Sequence, residues 1–208
     1  MPAYFSIVLE FDRDDIGVNT VDELCFYMKH AGLAFRAGAW GAEKLTQGEI
    51  TAHNQELLLH DFEPDPNDEH GDRYYQSEFD LDGFSGARGF YLNNTPSDGR
   101  YEYVLVIPEE EVYAENEPKA LKKETADKLL HLLTWIWHMP SIRTIQTFTE
   151  KCDGITPETE FADGGLPQAH PYAIVSEKQL KNISTEGFEV QPFHFGGIIL
   201  TNKKYKFI

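Results

Sequence analysis

Tyr4-Phe-Ser-Ile-Val-Leu-Glu-Phe11, YFSIVLEF, sorts its side chains into two rows. Phe5, Ile7, Leu9 and Phe11 form one row; Tyr4, Ser6, Val8 and Glu10 form the other. A period of two with one strongly apolar row is a β-strand lying over a core. The run after it differs. Asp12 to Asn19 is a polar turn, and Thr20-Val-Asp-Glu23 has the spacing of a capping box, predicting a helix start. That helix turns Val21, Leu24, Cys25, Met28 and Ala31 inward, and Gly32 ends it. Leu33 to Trp40 returns as a strand, and Gln47 to His60 reads as a second helix with Ile50, Leu57 and Leu58 inward.

Tyr74 to Leu81, Ala87 to Asn93 and Tyr101 to Ile107 read as strands of a hairpin or meander, with Asn94 to Gly99 as a turn. A long helix is predicted from about Pro118 to Met139, capped by Asn116 and stopped by Pro140. Ile142 to Thr149 is a strand, and Lys151 to His170 a Gly/Pro loop. Tyr172 to Ser176, Gly187 to Phe193 and Ile198 to Thr201 supply late strands, with a short helix at Glu177 to Asn182. This order predicts an α+β fold: a mixed, largely antiparallel sheet with helices packed mainly on one face. One domain over residues 1–208 is expected, with a lobe boundary near residue 118 as the alternative.

Composition narrows the function. The chain is 41% hydrophobic and 13% aromatic, which suits a folded core. Its longest apolar run, Leu129 to Met139, is broken by His131, Thr134 and His138, so a buried helix is expected rather than a membrane span. The N-terminus has no basic segment before its apolar residues, so no secretory signal is read there. Cys25 and Cys152 are the two cysteines, far apart, and a reducing cytoplasmic setting is expected. Net charge is −17 and unevenly spread. Residues 1–118 hold 25 Asp and Glu against 7 Lys and Arg; residues 119–208 hold 10 against 11. Such a field repels nucleic-acid phosphates and anionic lipid and attracts cationic partners.

Reactive motifs are scarce. Neither GxSxG nor the phosphate-binding GxxxxGK[ST] occurs, and the glycines from Gly83 to Gly89 lack dinucleotide spacing and follow acids. Glu78-Phe-Asp-Leu-Asp-Gly-Phe-Ser-Gly86 begins like a calcium loop, with oxygens at Glu78, Asp80 and Asp82 and glycine at 83. Its twelfth position is Gly89, which cannot supply the bidentate carboxylate, and its flanks read as strands. An acidic turn is the expectation, with no metal and no cofactor. His53, Glu56 and His60 share a helix face, as do Asp127, His131 and His138. Histidines seven apart lie two turns, about 10 Å, from one another, too far to share an ion easily; solvated or core-edge histidines are expected.

The remaining candidate is an acidic, aromatic surface: Asp61, Glu63, Asp65, Asp68, Glu69, Asp72, Tyr74, Tyr75, Glu78, Asp80 and Asp82. It reads either as a solvated loop or as an interface that steers a basic partner and anchors it by aromatic burial. The C-terminal stretches HPYAIVSEKQL (170–180) and GFEVQPFHFGGIILTNKKY (187–205) resemble the tails of immunity proteins from bacterial polymorphic-toxin systems. Those tails similarly combine a Tyr-x-x-x-Ser strand with a Gly-Gly strand ending in Thr. The resemblance covers about forty residues and assigns no functional residue. It implies a small cytoplasmic protein that binds and blocks one toxin, often a nuclease. The chain is therefore expected to be a non-enzymatic acidic binding protein whose partner is a cationic toxin domain. A small metal-dependent hydrolase and a nucleic-acid-mimicking inhibitor are the alternatives.

Overall fold

The computed structural model describes residues 3–60, 74–92, 99–115, 117–149 and 154–208. The first half contains β1 (Tyr4–Asp12), α1 (Thr20–His30), β2 (Leu33–Ala39), α2 (Gln47–Leu59), β3 (Gln76–Leu81), β4 (Ala87–Leu92) and β5 (Arg100–Pro108). Then come α3 (Glu109–Val112), β6 (Tyr113–Ala114), β7 (Glu117–Leu121), α4 (Lys123–Ile136) and β8 (Ile142–Thr149). The chain closes with β9 (Tyr172–Ser176), α5 (Glu177–Leu180), β10 (Phe188–Pro192), β11 (Gly197–Asn202) and β12 (Lys206–Phe207).

Among the described residues, nine strands form one sheet in the order β10-β11-β9-β8-β1-β5-β4-β3-β2. Every neighbouring pair in it is antiparallel. The α+β architecture is as the sequence predicts; a second, three-stranded sheet, β12-β7-β6, holds the parallel strand pair β12–β7, and Thr147 of β8 makes an isolated parallel bridge with Ala169. The opening octapeptide lies near the middle: Leu9 faces Tyr103 of β5 on one side and Ile145 of β8 on the other. Strands from both sides of residue 118 thus pair directly. Phe5, Ile7, Leu9 and Phe11 are at most 2% exposed and pack with Leu24 and Met28 of α1, Leu58 of α2, and Leu129, Leu132, Leu133 and Ile136 of α4. That face carries the long helices. No helix of the described residues is long and apolar enough to cross a membrane.

The second face has two parts. Val8, Val104 and Val106 are buried there beside half-buried Tyr4, Phe90, Leu92 and Phe148. Towards β9–β11, a short 3-10 segment, Glu158–Asp163, brings Phe161 onto Ala173, Val175, Ile198 and Leu200.

Three local expectations are corrected. Thr20 does not cap α1: Asn19 is the N-cap, without a side-chain bond, and buried Thr20 instead exchanges hydrogen bonds with the Gly17 backbone. The acceptor comes from elsewhere, because Gln55 of α2 receives the Val21 N–H at 2.9 Å and donates to Gly17 O. Working capping boxes are Thr46 with Glu49 and Ser176 with Gln179. The long helix begins at Lys123 rather than near Pro118, because Glu117–Leu121 is the central strand of the small sheet. Ala120 and Leu121 are buried in it, and Ile208 donates to Leu121 O and accepts from Lys123 N–H. Leu57 is half-buried, so Ile50 and Leu58 form the inward contacts of α2. The predicted cap Asn116, Asn94 to Asp98 of the predicted turn, the acidic loop 61–72 and Cys152 lie outside the described residues.

Candidate interaction surface

In β3, Phe79 and Leu81 point into the helix-side core, so strand alternation sends Glu78 and Asp80 to the opposite face. Both meet one cation: Arg36 of β2 lies 2.8 Å from Glu78 and 3.7 Å from Asp80. Asp82 is fully exposed and turns the other way, 3.9 Å from Lys128 of α4, which also pairs with Glu124 at 3.0 Å. The three acids that begin like a calcium loop therefore diverge onto two cations. The stretch is the β3–β4 hairpin turn, closed by Phe84 N–H on Leu81 O and by Gly83 at φ +84°, where a Cβ would run into Lys128. Its Ser85 N–H donates to Glu111 of α3 at 2.8 Å. Between this turn, the end of α1 and α4 lies an open groove of about 660 Å³, floored by Ala31 and Leu81 and rimmed by Asp82, Glu124 and Asp127 with Lys123 and Lys128. Among the described residues, no group of three or more His, Cys, Asp or Glu is placed to hold a metal ion.

Tyr74 and Tyr75 stand at the other end of β3. Tyr74 is half-buried, 5.5 Å from the ring of Tyr91, and burial pushes its hydroxyl pKa up. Tyr75 exchanges two 2.9 Å backbone hydrogen bonds with the Asn54 side chain and lays its ring on His53 at 4.2 Å. These two tyrosines anchor the chain where it enters the sheet. Asp61, Glu63, Asp65, Asp68, Glu69 and Asp72 lie outside the described residues.

Sequence reasoning missed a band of aromatic rings across α1, α4 and the turn before β11. Phe26 packs on His30 (4.1 Å), His30 on Trp135 (5.5 Å), Trp135 on His138 (5.3 Å) and His138 on Phe195 (4.1 Å). His30 and His138 each donate Nδ1–H to the carbonyl four residues earlier, at 2.8 and 2.6 Å. Phe26 is 55% exposed and Phe195 74%. Phe195 also has φ +53°, and Trp40, 72% exposed, has φ +54°. Among the described residues these are the non-glycine positions at positive φ, and both are exposed aromatics. Bulky side chains held in that region cost about 1–2 kcal/mol and are more frequent where a residue is presented for a purpose. The available signal was an aromatic followed directly by glycine at a strand end, Trp40-Gly41 and Phe195-Gly196.

A buried acid on the second face behaves differently. Glu10 is 1% exposed and accepts from Thr144 Oγ1 at 2.9 Å, from Glu158 N–H at 3.1 Å and from Arg100 at 3.1 Å. Gln146 donates to Thr144 Oγ1, so the threonine proton must go to Glu10. Burial raises the Glu10 pKa, and these donors work against that rise. Nearby, Arg143 holds Asp12 at 3.2 Å and Asp15 at 2.6 Å. With its oxygens engaged by donors, Glu10 pins the start of the Glu158–Asp163 turn to the sheet.

No family model and no curated protein matches the sequence. Among solved structures, the chain is similar to the Pseudomonas aeruginosa T6SS protein PA0821, at 8% identity over 99% of this chain and 70% of that one, with a TM-score of 0.43. Likeness at this level assigns no activity and no residue role.

Proposed function

We propose that this chain is a non-catalytic binding protein, an immunity protein that neutralises a cationic toxin domain in the cytoplasm. The observation that carries this reading is the segregated charge, 25 acids against 7 bases in residues 1–118 and near balance beyond. A toxin that acts on nucleic acid must be basic to hold phosphates, so the field would draw it in and speed encounter. Exposed Asp80 and Asp82 add to that field, and Phe26 and Phe195 offer rings for water-excluding contact. The resemblance of the C-terminal stretch to immunity-protein tails supports the same reading without assigning a role to any residue in it.

The test pairs this protein with a basic effector domain encoded beside its own gene, where the genome carries one. Co-expression should protect cells from that domain. Stopped-flow association should slow as salt rises from about 20 to 500 mM, over which the screening length falls from tens of ångströms to a few. Asp80→Lys with Asp82→Lys should slow association several-fold at low salt and leave it unchanged at high salt. Cells that die equally fast with and without this protein would refute the function.

A further inference from the structure

Arg88 of β4 is an unusual cation in so acidic a molecule. Arg88, Phe90 and Leu92 alternate onto the sheet face away from the long helices. Glu78, its partner across the β3–β4 pair, gives its carboxylate to Arg36 instead. Among the described residues, no carboxylate lies within 4.0 Å of the Arg88 guanidinium, and its buried Nε has no hydrogen-bond partner. Aromatic rings surround it: its Cζ lies 5.6 Å from the Tyr4 ring centre, 5.6 Å from Trp40 and 6.0 Å from Phe90. A cavity of about 180 Å³ opens beside it, bounded by Tyr4, Arg36, Ser85, Gly86 and Pro108.

A guanidinium flanked by three rings has less room to turn, and a planar carboxylate matches its fork with two parallel hydrogen bonds. Glu78 also lines the cavity and Asp80 lies beside it, so a doubly charged phosphate is repelled more than a single carboxylate. The cavity admits a carboxyl group and its short stem. Trp40, at positive φ and 72% exposed, extends the contact beyond anything a small free acid would cover. We infer that this face takes an aspartate or glutamate side chain of a partner protein, with Arg88 gripping the carboxylate and Trp40 and Phe90 carrying the adjacent apolar residue. The inference rests on the reading of the chain as a binding protein. It adds a contact of sign opposite to the general field, so that a merely cationic surface does not satisfy both.

Fluorine NMR of protein labelled with 5-fluorotryptophan tests it, since Trp40 is distinguished from Trp135 and Trp137 by its loss in Trp40→Phe. The probe acetyl-Leu-Glu-amide should shift the Trp40 signal saturably at about millimolar concentration, leaving the other two signals in place. Acetyl-Leu-Gln-amide on the same protein should bind at least about tenfold more weakly, because it lacks the charge the fork needs. This arm requires no variant, and Arg88→Gln should reproduce the loss while the Trp135 and Trp137 signals report an intact fold. A stationary Trp40 signal, equal binding of the two peptides, or an equal shift by inorganic phosphate or free glutamate would overturn the inference. The toxin-protection assay is independent of these probes, so protection without peptide binding removes this site alone, and peptide binding without protection removes the toxin reading alone.

Discussion

Replacing Glu10 by alanine should detach the Glu158–Asp163 turn from the sheet. The acid is 1% exposed, and its removal takes the acceptor from Thr144 Oγ1, from the Glu158 N–H and from one contact of Arg100. Breaking a buried ion pair by deleting one partner costs about 3–5 kcal/mol. Arg100 is 14% exposed and can turn part of its guanidinium to water, which places the loss at the low end, about 3 kcal/mol. For a chain of this length that corresponds to a fall in Tm of about 6–12 °C. Glu10→Gln preserves the shape but aims an NH2 at a donor, and should cost about 1–3 kcal/mol. Urea unfolding at pH 7 gives the energies. Amide exchange then localises them: the Glu158 N–H should lose protection, whereas the Gln168 N–H, held at 2.8 Å by Gln146, should keep it. A Glu10→Ala protein within about 1 kcal/mol of the parent, or an unchanged Glu158 exchange rate, would refute the pinning role.

Three further outcomes are expected. Phe195→Gly should raise the unfolding free energy from urea titration by up to about 1 kcal/mol, because glycine relieves the positive φ at an exposed ring while its greater freedom when unfolded offsets part of the gain; a clear destabilisation would mean the ring is structural. Gly89→Ala should cost about 1–3 kcal/mol in thermal unfolding, since the new methyl would press on the Tyr103 hydroxyl and ring and on Phe79. Glu102 has its pKa raised, first by burial and then by the charge of Glu10. Its folded form holds the proton more tightly than the unfolded form, so the stability it contributes is present below the ordinary value of 4.5 and is lost as pH rises through the raised one. Glu102→Gln should therefore gain stability relative to the parent as pH rises from 4 to 8, and equal unfolding curves at both ends of that range would contradict the burial argument.

Where a single strand carried its own period, the sequence was sufficient. Ile142 to Thr149 and Tyr172 to Ser176 have the bounds expected of them, and the apolar row of β1 is the core face. What failed were features whose partners are distant. The strand Glu117–Leu121 takes its neighbours from residues 113–114 and 206–207, and two-residue strands have no period to read. The Thr20 box looked complete in sequence, yet Gln55 from another helix already held the Val21 amide. Of the acidic surface, alternation places Glu78 and Asp80 away from the core, but nothing local announced that Arg36 would meet both. Glu10 sits in the polar row of β1, and its burial depends on a turn some 150 residues later. Trp40 and Phe195 stayed hidden because backbone conformation at an aromatic leaves no compositional trace beyond the glycine that follows.

The groove beside α4 also limits what charge can do. Lys128 already faces both Asp82 and Glu124, so the rim is close to neutral at short range. Exposed pairs of this kind contribute about 0–1 kcal/mol and cannot hold a partner. The excess of acids elsewhere in residues 1–118 acts over a screening length of about 8 Å at physiological salt, far enough to steer an approaching cation but too diffuse to select one surface. Steering and selection therefore fall to different residues. Salt and charge reversal at Asp80 and Asp82 should act on the association rate, while substitutions at Phe26, Phe195, Trp40 and Arg88 should act on dissociation. A complex whose dissociation rate, rather than its association rate, followed salt would place the binding energy in the acids and contradict this division.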